Sequence, residues 1–282
     1  MQNDRVGLGW RPELAAGIFD ALDQIDVLEV IADNYIDAGR QHRQALKVVA
    51  RQVPLHIHSI ALGLAGAEEV NARRLDRVAR LVNDVEPEAW SEHLAFVRAG
   101  DVEIGHLAAP PRSEASVAGA ARNLRKASDI VGSMPLMENI ATLLDPPCSP
   151  LSEQAWIADI VSASGCGLVL DLHNLHANAT NFCFDPLQFL SDIPLARVGC
   201  VHIAGGDWIT APDGKTRYLL DDHLHDVTEP VYRLLSELAA RAPQPLTVIL
   251  ERDGAYPPMP ALLQELTRAR AALAAGRRRL HA

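Results

Sequence analysis

The sequence predicts an α/β fold, a (β/α)8 TIM barrel formed as a single domain by residues 1–282. Short apolar runs rich in β-branched residues alternate with longer stretches of helical periodicity, a pattern that indicates βαβ units and a parallel sheet. Eight such runs can be counted along the chain. The length of 282 residues also suits this fold, since α/β barrels often reach about 250 residues as one domain.

The order of the predicted elements follows from this alternation. The predicted strands are 6–9, 26–30, 53–58, 89–93, 135–139, 167–171, 198–202 and 246–251. The predicted helices lie near 11–22, 40–51, 68–84, 113–131, 151–163, 185–191, 228–241 and 258–275. Two connections are longer than usual for such a fold. One, residues 94–111, is predicted to form a small hairpin with its turn at Ala99, Gly100 and Asp101, and the other is residues 203–227.

Composition narrows the classes of function. With 48% hydrophobic and 22% charged residues, the chain can bury a large core. A formal net charge of -10 disfavours nucleic acid as a partner, and the one basic run, Arg277 to Arg279, is interpreted as the last turn of a helix. The four cysteines are widely spaced, which favours reduced thiols. With no signal pattern and no apolar run of about 18 residues, we expect a cytoplasmic protein that does not cross a membrane.

Ionisable residues stand at the C-terminal ends of seven predicted strands. Parallel strands of a barrel all point these ends at one face, so we expect the side chains to meet in one mouth. Leu136 lies two residues before Glu138, and Val169 two before Asp171, so apolar side chains share their face of each strand. The seven strand-end residues are Glu29, His58, His93, Glu138, Asp171, His202 and Glu251.

Four carboxylates among these seven residues predict a bound cation. Like charges repel strongly in a low-dielectric cleft, and the only basic residue at the strand ends is Arg252. Imidazole and carboxylate ligands without cysteine suit iron, manganese or catalytic zinc. The number of ligands exceeds what one ion accepts, which favours two or three metal ions. Glu138, expected roughly opposite His58 across the mouth, is the natural bridging carboxylate.

Two further segments offer ligands. Asp171 and Asn174 can both reach the cluster if the chain turns sharply after the sixth strand. In the long connection after the seventh strand, Asp221 and His223 are two residues apart and are predicted to bind a third ion. That connection, which begins with Gly205 and Gly206, is expected to close over the site.

The other histidines are interpreted more simply. His173 and His176 are weaker ligand candidates that we place in a polar βα loop, and His225 with Asp226 is predicted to begin a helix. His42 and His106 are predicted to lie at the surface, and His56 is predicted to lie deeper in the barrel.

These residues resemble a known family, the multinuclear non-haem iron-dependent oxidative enzymes, which include the methanobactin oxidase and the 3-thiaglutamate enzyme. The resemblance extends from Gly7 to Glu265. It rests on Leu28-Glu29-Val30, Asp33-Asn34-Tyr35, Pro54 with His58, Ser91-Glu92-His93-Leu94, Glu138-Asn139, Asp171 with Asn174, His202-Ile203-Ala204-Gly205, Asp221 with His223, and Glu251-Arg252-Asp253. The chain departs from the family pattern at Glu92, His173 and Asp222.

The resemblance implies a cluster of two or three mixed-valent iron ions. It also implies the oxidation, with dioxygen, of a side chain, usually cysteine and otherwise aspartate or asparagine, in a ribosomally made precursor peptide. A separate protein that binds the leader of this peptide is the implied partner. We take Glu138, Asp253 and Glu29 as the catalytic candidates. The implied iron ligands are His58, His93, Glu138, Asp171, His202 and Glu251, with Asn174, Asp221 and His223 for a further iron.

Three other functions remain open at this level. A metal-dependent sugar isomerase or epimerase would need a second catalytic group, for which only Glu29 is available. A zinc endonuclease of similar barrel type should carry a basic surface, against the net charge of -10. The third function is that of a barrel that binds a peptide and catalyses no reaction. The identity of the bound metal would separate these functions.

Overall fold

Eight parallel strands form a closed barrel, which confirms the predicted (β/α)8 fold. A computed structural model of the chain describes residues 3–100 and 102–280. Neighbouring strands around the barrel follow the order β1-β12-β9-β8-β7-β4-β3-β2, so each barrel strand pairs with the next one along the chain. The barrel strands are β1 Arg5–Gly9, β2 Leu28–Ile31, β3 Leu55–His58, β4 Ala89–His93, β7 Leu136–Glu138, β8 Gly167–Asp171, β9 Val198–Ile203 and β12 Thr247–Leu250.

Helices connect these strands, and local sequence signals define many of their ends. Ser113 begins α4 with a capping box, and Ser152 accepts a hydrogen bond from the backbone of α5. Gly132 and Gly165 end the same two helices in the left-handed conformation, which glycine adopts without steric cost. The helices are α1 Ala15–Asp20, α2 Arg40–Ala50, α3 Ala72–Val85, α4 Glu114–Val131, α5 Glu153–Ser164, α6 Leu172–Phe182, α7 Pro186–Asp192, α8 Glu229–Ala239 and α9 Met259–Leu280. The last turn of α9 contains Arg277 to Arg279, as predicted.

Two antiparallel hairpins interrupt the alternation of strand and helix. The hairpin of β5 (Phe96–Ala99) and β6 (Val102–Ala108) confirms the prediction for residues 94–111, although Asp101 in its predicted turn lies outside the described residues. The second, formed by β10 (Trp208–Thr210) and β11 (Arg217–Leu219), lies in the long connection after β9 and was not predicted.

The structure corrects the prediction for the segment that follows β8. We expected a polar loop carrying His173 and His176, whereas α6 begins directly after Asp171. Asp171 caps this helix, since its Oδ1 accepts a hydrogen bond of 2.6 Å from the backbone N–H of Asn174. Asn and His have low helix propensity, and they obscured the apolar period of Leu172, Leu175, Ala179 and Phe182.

The predicted helix start at His225 and Asp226 is also wrong. Helix α8 begins at Glu229, with Thr228 as its N-cap and Pro230 in its first turn. Proline fits the first turn of a helix because its missing N–H would have no partner there, so Pro230 fixes the start three residues later.

Contacts between backbone positions divide the described chain into two compact units. The first comprises 3–28, 141–144 and 170–280, and the second 29–140 and 145–169. The four cysteines are free, two of them buried (Cys166 and Cys200) and two exposed (Cys148 and Cys183). Within 3–100 and 102–280, no helix has both the length and the apolar character needed to cross a membrane.

We predict that Gly7→Ala destabilises the protein by about 1 to 3 kcal/mol, the usual cost of overpacking. A Cβ at Gly7 would lie 1.9 Å from the carbonyl oxygen of Val27. Because the clashing atom belongs to the backbone, the clash could be relieved only by a shift of β1. Gly39→Ala is the control, because a Cβ there meets nothing within 4 Å and its change should stay below about 1 kcal/mol. Urea unfolding of both variants checks the prediction, and equal midpoints would contradict it.

Candidate metal centre

Two histidines and a glutamate converge in the second unit. His58 ends β3, His93 ends β4 and Glu138 ends β7, and these three strands are neighbours in the barrel. The Nε2 atoms of the two histidines are 3.3 Å apart, and Oε2 of Glu138 is 3.4 Å from His58 and 3.7 Å from His93. All three side chains are buried. The strand ends therefore bring these three predicted ligands together.

The size of this triangle fits a metal ion. A point equidistant from three atoms at separations of 3.3, 3.4 and 3.7 Å lies about 2.0 Å from each of them, which is the length of a bond from a metal to imidazole or carboxylate. Two neutral imidazoles and one carboxylate are also a donor set that suits transition metals. We had expected Glu138 opposite His58, and this was wrong, because β7 is separated from β3 only by β4.

Two polar residues that we had not assigned to the site hold these histidines in place. Ser91 donates its hydroxyl to the carbonyl of Ile57, so its oxygen accepts from Nδ1 of His58 at 2.7 Å. Proton placement at Nδ1 leaves Nε2 of His58 with a lone pair that faces Glu138. The signal in the sequence is the position of Ser91, two residues before His93 on the same face of β4.

Glu92 supports His93 in a similar way. This carboxylate is fully buried and accepts hydrogen bonds from the backbone N–H groups of His93 (2.8 Å) and Leu62 (2.9 Å). Nδ1 of His93 lies 3.4 Å from the same carboxylate. A carboxylate behind a ligating imidazole fixes the ring and raises its basicity.

Glu29 lies deeper than predicted. It is the second residue of β2, whereas we had expected it at the end of a strand, and only 2% of it is exposed. A carboxylate oxygen of Glu29 lies within 4.8 Å of a ring nitrogen of His56, and a carboxylate oxygen of Glu29 also lies within 4.8 Å of a ring nitrogen of His58. His56 is buried two residues before His58 on β3, as predicted. Glu29 is thus placed beside a ligand of the triangle and below it.

A second group of predicted ligands lies in the first unit. Asp171, His202 and Glu251 each offer a ligand atom within 4.8 Å of those of the other two. Asp171 ends β8, His202 is the last residue but one of β9, and Glu251 follows β12; all three are at most 4% exposed. Nδ1 of His202 is 3.3 Å from Oε2 of Glu251. The cap of α6 places the buried Asn174 one helical turn beyond Asp171, so the sharp turn that we expected there is a helix start.

The long connection after β9 brings two more predicted ligands to this group. Nε2 of His223 is 2.7 Å from Oδ1 of Asp221 and 3.8 Å from Oε2 of Glu251. Burial lowers the pKa of His223, but the charges of Glu251 and Asp221 and the hydrogen bonds to Asp221 and Asp253 outweigh it and raise the pKa well above its usual value. The carboxylates therefore favour a positive charge at this position, which a metal ion can supply in place of the proton.

This connection is held by close contacts with α6. His173 donates from Nε2 to the carbonyl of Leu220 at 3.0 Å, and the side chain of Asn181 forms two hydrogen bonds with the backbone of Leu219. A Cβ at Gly206 would lie 1.8 Å from the Leu220 carbonyl oxygen, and one at Gly205 2.2 Å from that of His225. Both glycines thus permit close backbone approach, and we had interpreted them only as a flexible start. Closure of the connection over the site stays a prediction.

Asp253 contacts the same loop from the other side. Its Oδ2 is 3.0 Å from Nδ1 of His223, and its Oδ1 accepts from Nε of Arg11 at 2.9 Å. Burial raises the pKa of Asp253, but the hydrogen bond to His223 and the charge of Arg11 lower it further than burial raises it. Sequence reasoning missed Arg11, because we considered strand ends only from the second strand onward and Arg11 follows β1 by two residues.

Four other residues of interest lie outside these groups. Arg252, next to Glu251, is buried and forms an ion pair with Asp226. His42 and His106 are exposed, as predicted.

Comparison with known proteins assigns a family. The sequence profile of a family described as "RiPP precursor modification enzyme MbnB/TglH/ChrH" matches residues 5–274. A UPF0276 protein of Streptomyces avermitilis is 34% identical over 268 residues, which are 93% of this chain and 53% of that protein, so the chain spans about half its length. A UPF0276 protein of Rhizobium meliloti is 33% identical, covering 84% of this chain and 76% of that protein. A UPF0276 protein of Bordetella bronchiseptica is 31% identical, covering 96% of this chain and 93% of that protein.

Solved structures of low sequence identity share the fold. L-ribulose 3-epimerase superimposes with a TM-score of 0.62 at 14% identity, covering 99% of this chain and 97% of the other. The 3-keto-D-glucoside 4-epimerase of E. coli gives 0.62 at 13% identity, with 95% and 100% coverage. A zinc-bound IOLI protein superimposes with a TM-score of 0.60 at 13% sequence identity, covering 96% of this chain and 97% of the other. At such identities these likenesses establish the barrel and nothing about its chemistry.

We predict that a divalent transition metal stabilises the metal-free protein. An ion that binds only the folded state adds about 2.7 kcal/mol at a concentration 100 times its Kd, which in a chain of this size raises Tm by roughly 5 to 10 °C. Thermal unfolding with Fe²⁺, Co²⁺ or Zn²⁺ added under anaerobic conditions measures the shift. Ca²⁺ is the control, because it prefers sites made only of oxygen atoms. Equal shifts with Ca²⁺, or none with any ion, would count against the centre.

Proposed function

Since the chain belongs to the MbnB/TglH/ChrH family of RiPP precursor modification enzymes, we propose that it oxidises a side chain of a ribosomally made precursor peptide with dioxygen and two or three iron ions. The observation that carries the proposal is the triangle of His58, His93 and Glu138, whose dimensions fit a metal ion. Iron would supply the one-electron and dioxygen chemistry that amino-acid side chains lack.

The number of ligands supports more than one ion. Beyond the triangle, the first unit adds three carboxylates, two imidazoles and one carboxamide, more donors than a single further ion needs. We assign to the ions the nine residues of the sequence prediction. They are His58, His93, Glu138, Asp171, Asn174, His202, Asp221, His223 and Glu251.

The residues of the chain contribute positioning and control of charge. Glu138 and Glu251 neutralise bound cations, while Ser91 and Glu92 keep their two histidines in one orientation. Glu29, beside His58, is suited to orient a substrate group or a water by a hydrogen bond. Burial of these carboxylates limits the access of bulk water, which strengthens every charge interaction in the site.

A peptide is the proposed substrate, and cysteine the favoured residue, with aspartate or asparagine as the other possibilities. The substrate class follows from the description of the family. A separate leader-binding protein as partner and a cytoplasmic location stay predictions. The epimerases that share the fold provide no support for a sugar substrate, since their identity to this chain is 13 to 14%.

We predict two to three iron ions per chain in protein purified without oxygen from cells grown with ample iron, because the donors exceed the needs of one ion. Elemental analysis counts the ions, and electron paramagnetic resonance before and after exposure to air reports their redox change. One zinc ion and no iron would contradict the proposal and favour the isomerase or endonuclease reading.

Glu138→Gln is expected to lower oxidation of the peptide more than Glu29→Gln does. The amide keeps the size of Glu138 but loses the charge that balances a cation between two imidazoles, so we expect loss of iron and a decrease of more than about 100-fold. Glu29→Gln should retain iron and lose about 10- to 100-fold. Oxygen consumption with a cognate peptide and iron counts test both variants. Iron lost from Glu29→Gln and retained in Glu138→Gln would reverse these roles.

A further inference from the structure

A buried arginine stands at the edge of the first-unit ligand group. Arg11 follows β1 and is 7% exposed. Its guanidinium donates to the carbonyl of Trp10 at 2.8 Å through Nη1 and to Oδ1 of Asp253 through Nε and Nη2. A Cβ at Gly9 would lie 3.2 Å from Nη1, so the absence of a side chain there leaves room for the guanidinium. The local sequence is thus arranged to hold this cation in one orientation.

Asp253 connects this arginine to His223. While Oδ1 of Asp253 accepts from Arg11, Oδ2 accepts from Nδ1 of His223 at 3.0 Å. The backbone N–H of Asp253 also donates to the carbonyl of His223 at 2.9 Å. Side chain and backbone of Asp253 therefore both bind His223, which fixes the ring in direction as well as in position.

His223 needs such a support because of its backbone. Its φ of 55° lies in the left-handed region, which is unfavourable for a residue with a side chain. The N–H of His223 donates to the carbonyl of Gly205 at 3.1 Å, and together with the bond from Asp253 this holds the conformation. The outcome is that Nε2 faces Asp221 and Glu251.

We propose that Arg11 is a positioning residue for the metal centre: through Asp253 it holds His223 as the Nδ1–H tautomer, with Nε2 turned toward Asp221 and Glu251 to bind an ion. The inference rests on the proposed function, since it needs a metal at His223. It also gives Asp253 a role in positioning, in place of the catalytic role that the sequence suggested.

The chemistry of the guanidinium explains the choice of arginine. A carboxylate exposed to solvent, as Asp253 is, can rotate and form hydrogen bonds with water. Two N–H donors of a planar, permanently charged group restrict that rotation and leave the second oxygen for His223. A residue that forms a hydrogen bond directly with a ligating histidine, as Asp253 does with His223, typically changes metal affinity by about 10- to 100-fold, and Arg11, which acts through Asp253, can change it by up to that amount.

A purely structural ion pair is the alternative, and the chain contains a matched control for it. Arg112 follows the first hairpin, is 8% exposed, and pairs with Asp145 and Glu153 in the second unit. Arg11→Gln and Arg112→Gln both remove a buried guanidinium from carboxylate partners. Only Arg11 contacts the support of a predicted ligand, so only its loss should change metal binding.

The experiment is titration of metal-free protein with Co²⁺ under anaerobic conditions. Visible absorption follows the number and kind of ligands, and elemental analysis after gel filtration counts the bound ions. We expect one ion to bind about 10-fold more weakly in Arg11→Gln than in wild type, the lower end of the range for a direct partner of a ligand, and all ions to bind normally in Arg112→Gln. Tm of the metal-free proteins should fall by similar amounts in the two variants.

A double variant tests the route through Asp253. Since Asp253 is 45% exposed, Asp253→Ala should fold, and it should weaken the same ion. Arg11→Gln with Asp253→Ala should bind that ion as weakly as Asp253→Ala alone, because Arg11 acts only by holding Asp253. Additive losses, or normal Co²⁺ binding by Arg11→Gln, would overturn the inference alone. A wild-type protein that binds no metal would overturn the proposed function and the inference with it.

Discussion

Carboxylates buried beside imidazoles require a compensating positive charge, and the rest of this structure depends on that requirement. Glu138, Asp171 and Glu251 are at most 4% exposed. Removal of a carboxylate from water costs several kcal/mol unless a positive charge compensates it. His58 and His93 as neutral rings would provide lone pairs but no charge, so an ion bound among them, as proposed, would satisfy the histidines and Glu138 at once.

Three histidines at the centre, His58, His93 and His223, are held through the ring nitrogen that faces away from their predicted ligand neighbours. Ser91 holds His58, Glu92 lies behind His93, and Asp253 holds His223. The three supports differ in chemistry, a hydroxyl, a buried carboxylate and an exposed carboxylate tied to an arginine. They have one effect in common, which is that the Nε2 atoms are directed before any ion binds. Such preorganisation reduces the entropy lost on binding.

The barrel could be predicted from the sequence because its strands are short, apolar and regularly spaced, and the bounds predicted for β4 and β8 agree with the structure. The positions of the predicted ligands at or near strand ends followed from the same pattern. Other features could not be predicted in this way. Helix α6 was missed because its first turn is rich in residues with low helix propensity. The contact of His58 with Glu138 was missed because we placed the two residues by position around the mouth rather than by the order of their strands. Arg11 acts across a sequence separation of 242 residues, so nothing near it in the sequence marks its role.

The hairpin of β10 and β11 divides the long connection into a constrained base and an open tip. At the base, Gly205 and Gly206 admit no side chain without displacing a carbonyl. At the tip, residues 212–217 are exposed, and Asp213 and Gly214 form the turn. Exposed turns of this kind accept inserted residues, whereas a tightly packed base does not. A fluorescent label or short affinity tag placed after Asp213 would thus report on the loop that carries Asp221 and His223 without altering either residue.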